Sequence, residues 1–212
     1  MASQNSKGRT LKRLYSFISD VPLKLFAGVL FKKRRQEGEP DSSSQRNTSD
    51  PENVPSYSEV EPASASQALK WFSKFVCHRC FRITSLKPSD PVRWLQNVDR
   101  ALFLHKCQDA PFLTLPNVVF LYLVCRDVIS SDLVSKMELK AALMTCLYVS
   151  CSYVGPEITY PAKFFRVDSW TDDFWNRCLT VIGAMSEKML LINTDPEYFA
   201  QTLEHLKAEG GR

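Results

Sequence analysis

Glycine is scarce in this chain, 7 in 212 residues, and only Gly155, Gly183, Gly210 and Gly211 fall after residue 62. So sparse a supply builds no glycine-rich phosphate cradle, which argues against a nucleotide-binding enzyme. Period-2 patterning with hairpin turns is nearly absent, so a sheet has little to form from. No apolar run reaches the 18 or so residues that cross a bilayer. No secretory signal precedes the seven cysteines (77, 80, 107, 125, 146, 151 and 178), all of which lie beyond residue 62. Their odd number at helix-interior spacings predicts reduced, packed thiols rather than a disulfide framework, as expected of a soluble chain in the cytosol or nucleus.

What is present is divided sharply by charge. Residues 1–35 carry nine Lys/Arg against Asp20 alone, whereas residues 36–62 carry seven acids against Arg46. The remainder is nearly neutral and rich in apolar residues. This division predicts a basic amphipathic arm (1–35), an acidic Pro/Ser-rich linker (36–62) and a folded body (63–209). The linker holds four prolines, many polar residues and almost no large apolar side chain, so burial cannot repay its ordering entropy and disorder is expected. A body of this length buries roughly two thirds of its unfolded surface and folds alone.

The body reads as successive helices. Ser64 or Ser66 caps a first helix with Leu69, Phe72, Phe75, Val76 and Cys80 on one side and a solvated face bearing Lys70, Lys74 and Arg79. Ser89-Asp90-Pro91 opens a second, in which Trp94, Leu95, Val98, Ala101 and Leu102 form the buried stripe. Two nearly uninterrupted apolar runs follow, one from Val118 to Val128 and one from about Lys136 to Tyr153, stopped by Gly155-Pro156. Runs that are apolar all round belong to helices covered on every side, so these two form a central buried pair. A fifth helix from Thr171 or Asp172 to about Leu191 and a last one from Asp195-Pro196 complete the set, with Gly210-Gly211 ending order.

Chemistry-bearing clusters are few. Cys77-His78-Arg79-Cys80 has the spacing of half a zinc site, but no second pair follows at usable distance, and inside an amphipathic helix the two thiols read as small core residues. His105-Lys106-Cys107 has no orienting Asn or Asp, and sequence neighbours seldom meet in catalytic geometry. Asp172, Asp173 and Glu204 read as solvated helix faces. No catalytic residue, cofactor, metal or small-molecule substrate is expected.

The stretches FVCHRCFRI, SDPVRWLQNVDRALFL, PNVVFLYLVCRDVISS, LMTCLYVSCSYVGPEITYP, FWNRCL, KMLLIN and DPEYF closely resemble the cyclin-dependent kinase 5 activator family over about residues 65–209. The resemblance implies an all-α, cyclin-box-like helical bundle. It further implies a noncatalytic regulatory subunit that forms a heterodimer with cyclin-dependent kinase 5 and stabilises its active conformation without activation-segment phosphorylation, with roles in neuron projection development.

In that family the loop after the fourth helix reads the kinase activation segment, and the matching residues here are Val154, Gly155, Pro156, Glu157 and Ile158. Gly155-Pro156 is expected to fix an exposed turn between two apolar knobs, Val154 and Ile158. The fifth helix adds kinase contacts at positions usually Asp and Asn, here Asn176 and Gly183. An amide removes a charge-assisted hydrogen bond and glycine removes a side chain altogether, each a loss of about 1–3 kcal/mol at a buried contact. The alternative implied by these two departures is a cyclin-like module that binds a kinase or scaffold without activating it.

The arm mixes Leu, Tyr, Phe and Ile with Lys12, Arg13, Lys32, Lys33, Arg34 and Arg35. Such a segment suits an anionic membrane surface, each nearby cation adding about 1 kcal/mol, and KKRR also reads as a nuclear import signal or a nonspecific nucleic-acid contact. A merely basic tail is the third reading; specific nucleic-acid recognition is not expected. Family members with glycine after the initiator Met are open to myristoylation, whereas this chain begins Met1-Ala2-Ser3, so an N-terminal acyl anchor is not expected. Cytoplasmic residence follows, with membrane-peripheral or nuclear placement left to the arm. No Ser or Thr precedes Pro anywhere in the sequence, so the family's feedback phosphorylation is expected to be weak or missing.

Overall fold

The computed structural model describes residues 64–157, 159–167 and 171–211; the arm, the linker and Ile158 lie outside them. Six α-helices follow in order: α1 Ala65–Arg79, α2 Ser89–Leu104, α3 Leu115–Val128, α4 Lys136–Val154, α5 Thr171–Thr194 and α6 Pro196–Gly211. A 3-10 turn, Ala162–Phe164, sits between α4 and α5, and no strand occurs among the described residues. The described body is the all-α helical bundle expected.

At its centre is α3, which packs against α1, α4, α5 and α6. Every residue from Val118 to Cys125 is buried, as is every residue from Leu143 to Cys151 of α4. That continuous burial is why neither run shows a polar face. Aromatic edges lock the layers: Phe75 of α1 meets Tyr122 of α3 at a ring separation of 5.0 Å. Tyr148 of α4 meets Phe165, Phe174 and Trp175 at 5.2–5.5 Å, geometry worth about 0.5–1.5 kcal/mol per pair beyond burial. Cys80, Cys125, Cys146, Cys151 and Cys178 are buried and free, and Cys77 and Cys107 are free and half-buried.

Local chemistry sets the helix ends, though not always as the sequence suggests. Ser64 caps α1, accepting the Gln67 N–H at 3.2 Å. At α2 the expected cap is replaced: Pro88 occupies the N-cap position without a side-chain bond. Asp90 instead accepts the Lys87 N–H at 3.0 Å and the Lys136 ammonium at 2.8 Å, tying the start of α2 to the start of α4. The C-terminus of α2 closes through Lys106, whose φ of 55° is left-handed. Its N–H reaches Phe103 O at 3.0 Å and the next N–H, of Cys107, reaches Leu102 O at 2.8 Å, a paired closure usually given to glycine. His105-Lys106-Cys107 is thus a helix stop. Asp99 then accepts the backbone N–H groups of Phe112 (2.8 Å) and Leu113 (3.3 Å), fixing the connection to α3.

Three further expectations are corrected. Arg79 is not on a solvated face: its guanidinium donates to Ile129 O at 3.2 Å and to Arg126 O, satisfying the carbonyl end of α3. The fifth helix runs on to Thr194. Gly210 and Gly211 do not end order but lie inside α6, where Gly210 is buried against Trp71.

Candidate functional site

The exit of α4 is built around a glycine chosen for space. The Gly155 N–H donates to Cys151 O at 2.9 Å, the last bond of the helix. Its φ of −70° and ψ of 157° are open to any residue, so backbone freedom does not explain it. A Cβ at Gly155 would stand 2.3 Å from both Cys151 O and the Tyr160 hydroxyl, closer than any real contact. Glycine therefore lets the chain leaving α4 fold back under the buried Tyr160, whose hydroxyl is pushed well above the usual range by burial. The turn is less open than expected: Val154, Gly155 and Glu157 are half-buried and Pro156 is exposed, while the fifth residue of this group, Ile158, lies outside the described residues. Val154 packs against the core rather than standing as a free knob.

Asn176 and Gly183 occupy α5, seven residues apart, which puts them on one face about 10 Å from each other. Both are exposed. Nothing lies within 4 Å of a Cβ built at Gly183, so that position is an open notch. Leu179 and Leu190, 38% and 45% exposed, continue the same stripe at helical spacing. This exposed face sets two leucines about a notch, with Asn176 and Glu187 on the same stripe.

This strip borders a cleft of about 470 Å³ formed where α3, α4 and α5 meet. Val128, Ala142 and Val181 supply its apolar lining, and Asp173, Asn176 and Thr180 its polar lining. Arg177 Nε donates to Thr145 Oγ1 at 3.3 Å, and Thr145 Oγ1 donates to Ala141 O at 2.9 Å, so one wall is fixed by hydrogen bonds. Sequence reading found Asn176 but not the rest of the cleft. The available signal was Ala141-Ala142, two small residues opening an otherwise bulky helix. The structure joins Asn176, but not Gly183, to the cleft. Val154–Glu157 does not line it: α4 contributes Ala142 and Thr145, the nearer of which is about 14 Å along the helix from Val154.

Cys80 of the CxxC is buried and its thiol is pushed up to about 11, chiefly by burial. No group of three potential metal ligands occurs among the described residues. Asp173 is exposed on the cleft, Glu204 pairs with Lys207 at 2.7 Å, and nothing is described of the Asp172 side chain. Lys12, Arg13 and Lys32 to Arg35 lie outside the described residues. No described helix is long and apolar enough to cross a membrane.

Comparison with known proteins adds what geometry alone does not. A family profile described as "Cyclin-dependent kinase 5 activator protein" matches residues 30–212. Cyclin-dependent kinase 5 activator 1 of Spermophilus citellus is 40% identical over 264 residues, covering 99% of this chain and 86% of that protein. The Homo sapiens activator 1 is 54% identical over 153 residues, covering 72% of this chain and 50% of that protein. Activator 2 of Homo sapiens is 46% identical over 152 residues, covering 71% of this chain and 41% of its own. The match thus spans half or less of the two human relatives. All are named as regulators of a kinase rather than as catalysts.

Proposed function

The chain belongs to the cyclin-dependent kinase 5 activator family, and on that premise we propose that it is a noncatalytic regulatory subunit whose body docks on cyclin-dependent kinase 5 and holds it in its active arrangement. The observation that carries this reading is the exposed face of α5 beside the α3–α4–α5 cleft, where Leu179 and Leu190 stand uncovered among polar residues. Leu179, Leu190 and the cleft lining offer burial to a kinase element, while Asn176 and Thr180 offer polar registration. The segment Val154 to Ile158, in which Gly155 approaches Tyr160 closely, supplies a second contact, with the activation segment.

The mechanism is a population shift. An activator works only by binding the active arrangement more tightly than the inactive one, and moving a kinase from 1% to 99% active takes about 5.5 kcal/mol of difference. An interface of roughly 2,000 Å² or more supplies this even when a few polar contacts are missing. Holding the segment directly removes the need for its phosphorylation. The basic arm adds attachment to an anionic surface without taking part in the docking.

A second reading is favoured by Asn176 and Gly183 together: a module that docks on the kinase but lacks the contacts that bias it. The experiment that tests the loop is Ile158→Asp, with binding and activation measured on the same protein. Loss of activation with helical content retained supports the assignment; unchanged activation removes the loop from the interface.

A further inference from the structure

The C-terminal end of α2 carries two large apolar side chains where a solvated helix face would carry polar ones. Leu95, Val98 and Leu102 form the buried stripe of this helix, and Phe103 and Leu104 fall off it, 49% and 67% exposed. The helix stop holds both in place. Besides its two closing bonds, made by the N–H groups of Lys106 and Cys107, Gln108 Nε2 donates to Asp99 Oδ1 at 2.6 Å. Cations accompany the two side chains: Arg100 and Lys106 are exposed on the same stretch of chain. The His105 ring lies 5.1 Å from that of Phe164, which brings the 3-10 turn alongside, and Lys163 of that turn stands 5.0 Å over the same Phe164 ring. Within residues 100–110 and 160–167, Asp109 is the one acid. None of these residues belongs to α5 or to the stretch 154–158, so this tip uses different segments from the proposed kinase contacts.

We infer that this tip inserts into an anionic lipid surface, with Phe103 and Leu104 entering the boundary between headgroups and acyl chains and Arg100, Lys106 and Lys163 facing the lipid phosphates. Apolar knobs accompanied by cations make up an interfacial contact, in which buried apolar area and attraction to anionic headgroups add together. The lysine stems lie along the apolar boundary while their ammonium groups stay in the headgroup layer. A protein partner is served less well. Two partly exposed side chains fall far short of the roughly 800 Å² per partner of a standard interface, whereas a bilayer needs no matching shape. An acidic peptide would use the cations but leave Leu104, the most exposed apolar side chain of the tip, without a role. The closed helix end also presents its knobs already ordered, so contact costs little conformational entropy. One weak membrane signal gives reversible binding and two give stable attachment, so the tip would act beside the basic arm without depending on it.

The test uses the full chain and phosphatidylcholine vesicles with and without phosphatidylserine, binding being read by co-sedimentation. Phe103→Ser with Leu104→Ser is expected to weaken binding to the anionic vesicles at least about tenfold. Lys106→Gly, which keeps the helix stop, together with Lys163→Ala is expected to do the same. Phe81→Ser with Met137→Ser, at sites 67% and 61% exposed elsewhere on the body, is the control and leaves binding unchanged. Lys32→Ser, Lys33→Ser, Arg34→Ser and Arg35→Ser together read the arm's share, and the loss caused by the tip variants persists in that background. Helical content is checked first, and if the double variant at 103 and 104 does not fold, Leu104→Ser alone carries the comparison. Unchanged binding by the tip variants, or an equal loss by the control, overturns the inference. So does soluble polyglutamate that displaces the vesicles and binds equally well after Leu104→Ser, which would make the occupant an acidic segment. Loss of kinase activation by the tip variants in the absence of vesicles would assign the tip to the kinase interface and also overturn it. Vesicle binding is read without the kinase, so failure of the kinase reading leaves this result standing.

Discussion

Gly210 lies directly against the backbone of Trp71: a Cβ built on the glycine would stand 2.3 Å from the Trp71 Cα and 2.4 Å from its carbonyl oxygen. This is where α6 seats on α1, the most extensive helix pairing in the body. Backbone cannot give way as a flexible side chain can, so Gly210→Ala is expected to lower stability by about 1–3 kcal/mol despite alanine's better helix propensity. Gly211 has nothing within 4 Å and is the internal control, with Gly211→Ala neutral or slightly stabilising. Urea melts of the two variants check the contrast.

Lys106 closes α2 in a left-handed conformation that favours glycine. Lys106→Gly keeps both closing hydrogen bonds and relieves the Cβ clash, at the expense of a more flexible unfolded chain. The net expectation is a gain of about 0.5–1 kcal/mol, visible as a higher melting temperature.

Asp90 is 4% exposed and bonded to Lys136, Lys87 N–H and Arg93. The Lys136 hydrogen bond, followed by that from the Lys87 N–H, holds its carboxyl below the usual carboxylate range. A depressed folded-state pKa contributes stability that is fully present above the unfolded value near about 4 and is lost as pH falls through the lower folded value. Asp90→Asn is therefore expected to lose about 1–3 kcal/mol at neutral pH and to flatten this part of the acid-side decline, read from denaturant melts between about pH 6 and pH 2.

Asn176 and Gly183 are both exposed on α5, so restoring family-type side chains is not expected to disturb the fold. Asn176→Asp with Gly183→Asn is expected to tighten binding to cyclin-dependent kinase 5 by up to roughly tenfold for each hydrogen bond regained at about 1.4 kcal/mol. Calorimetric titration of the kinase gives the answer. A weaker complex would mean that the surface has diverged to fit a different kinase.

The central helix pair was legible in the sequence because burial on all sides removes polar punctuation from Val118–Cys125 and Leu143–Cys151, and that needs no knowledge of the partners. A cap at Ser64 or Ser66, of which the structure uses Ser64, and the Gly155-Pro156 stop were legible because caps act within a few residues. What was hidden acts across the fold. Nothing near Arg79 announces that its guanidinium will cross to the carbonyl end of α3, and nothing near Gly210 announces Trp71. Asp90 looked like part of a local cap because Lys136 lies 46 residues away. The cleft escaped for the same reason: Val128, Ala142 and Val181 come from three helices, and only their packing leaves a gap.

The most direct test of the account is phosphate transfer to a proline-directed peptide by purified monomeric cyclin-dependent kinase 5, unphosphorylated on its activation segment, titrated with this chain. Saturable activation, reduced sharply by Ile158→Asp, is the result expected of an activator that works by holding the segment itself. Saturable binding with kinase activity left at its basal level would contradict it and make the chain an inert docking module.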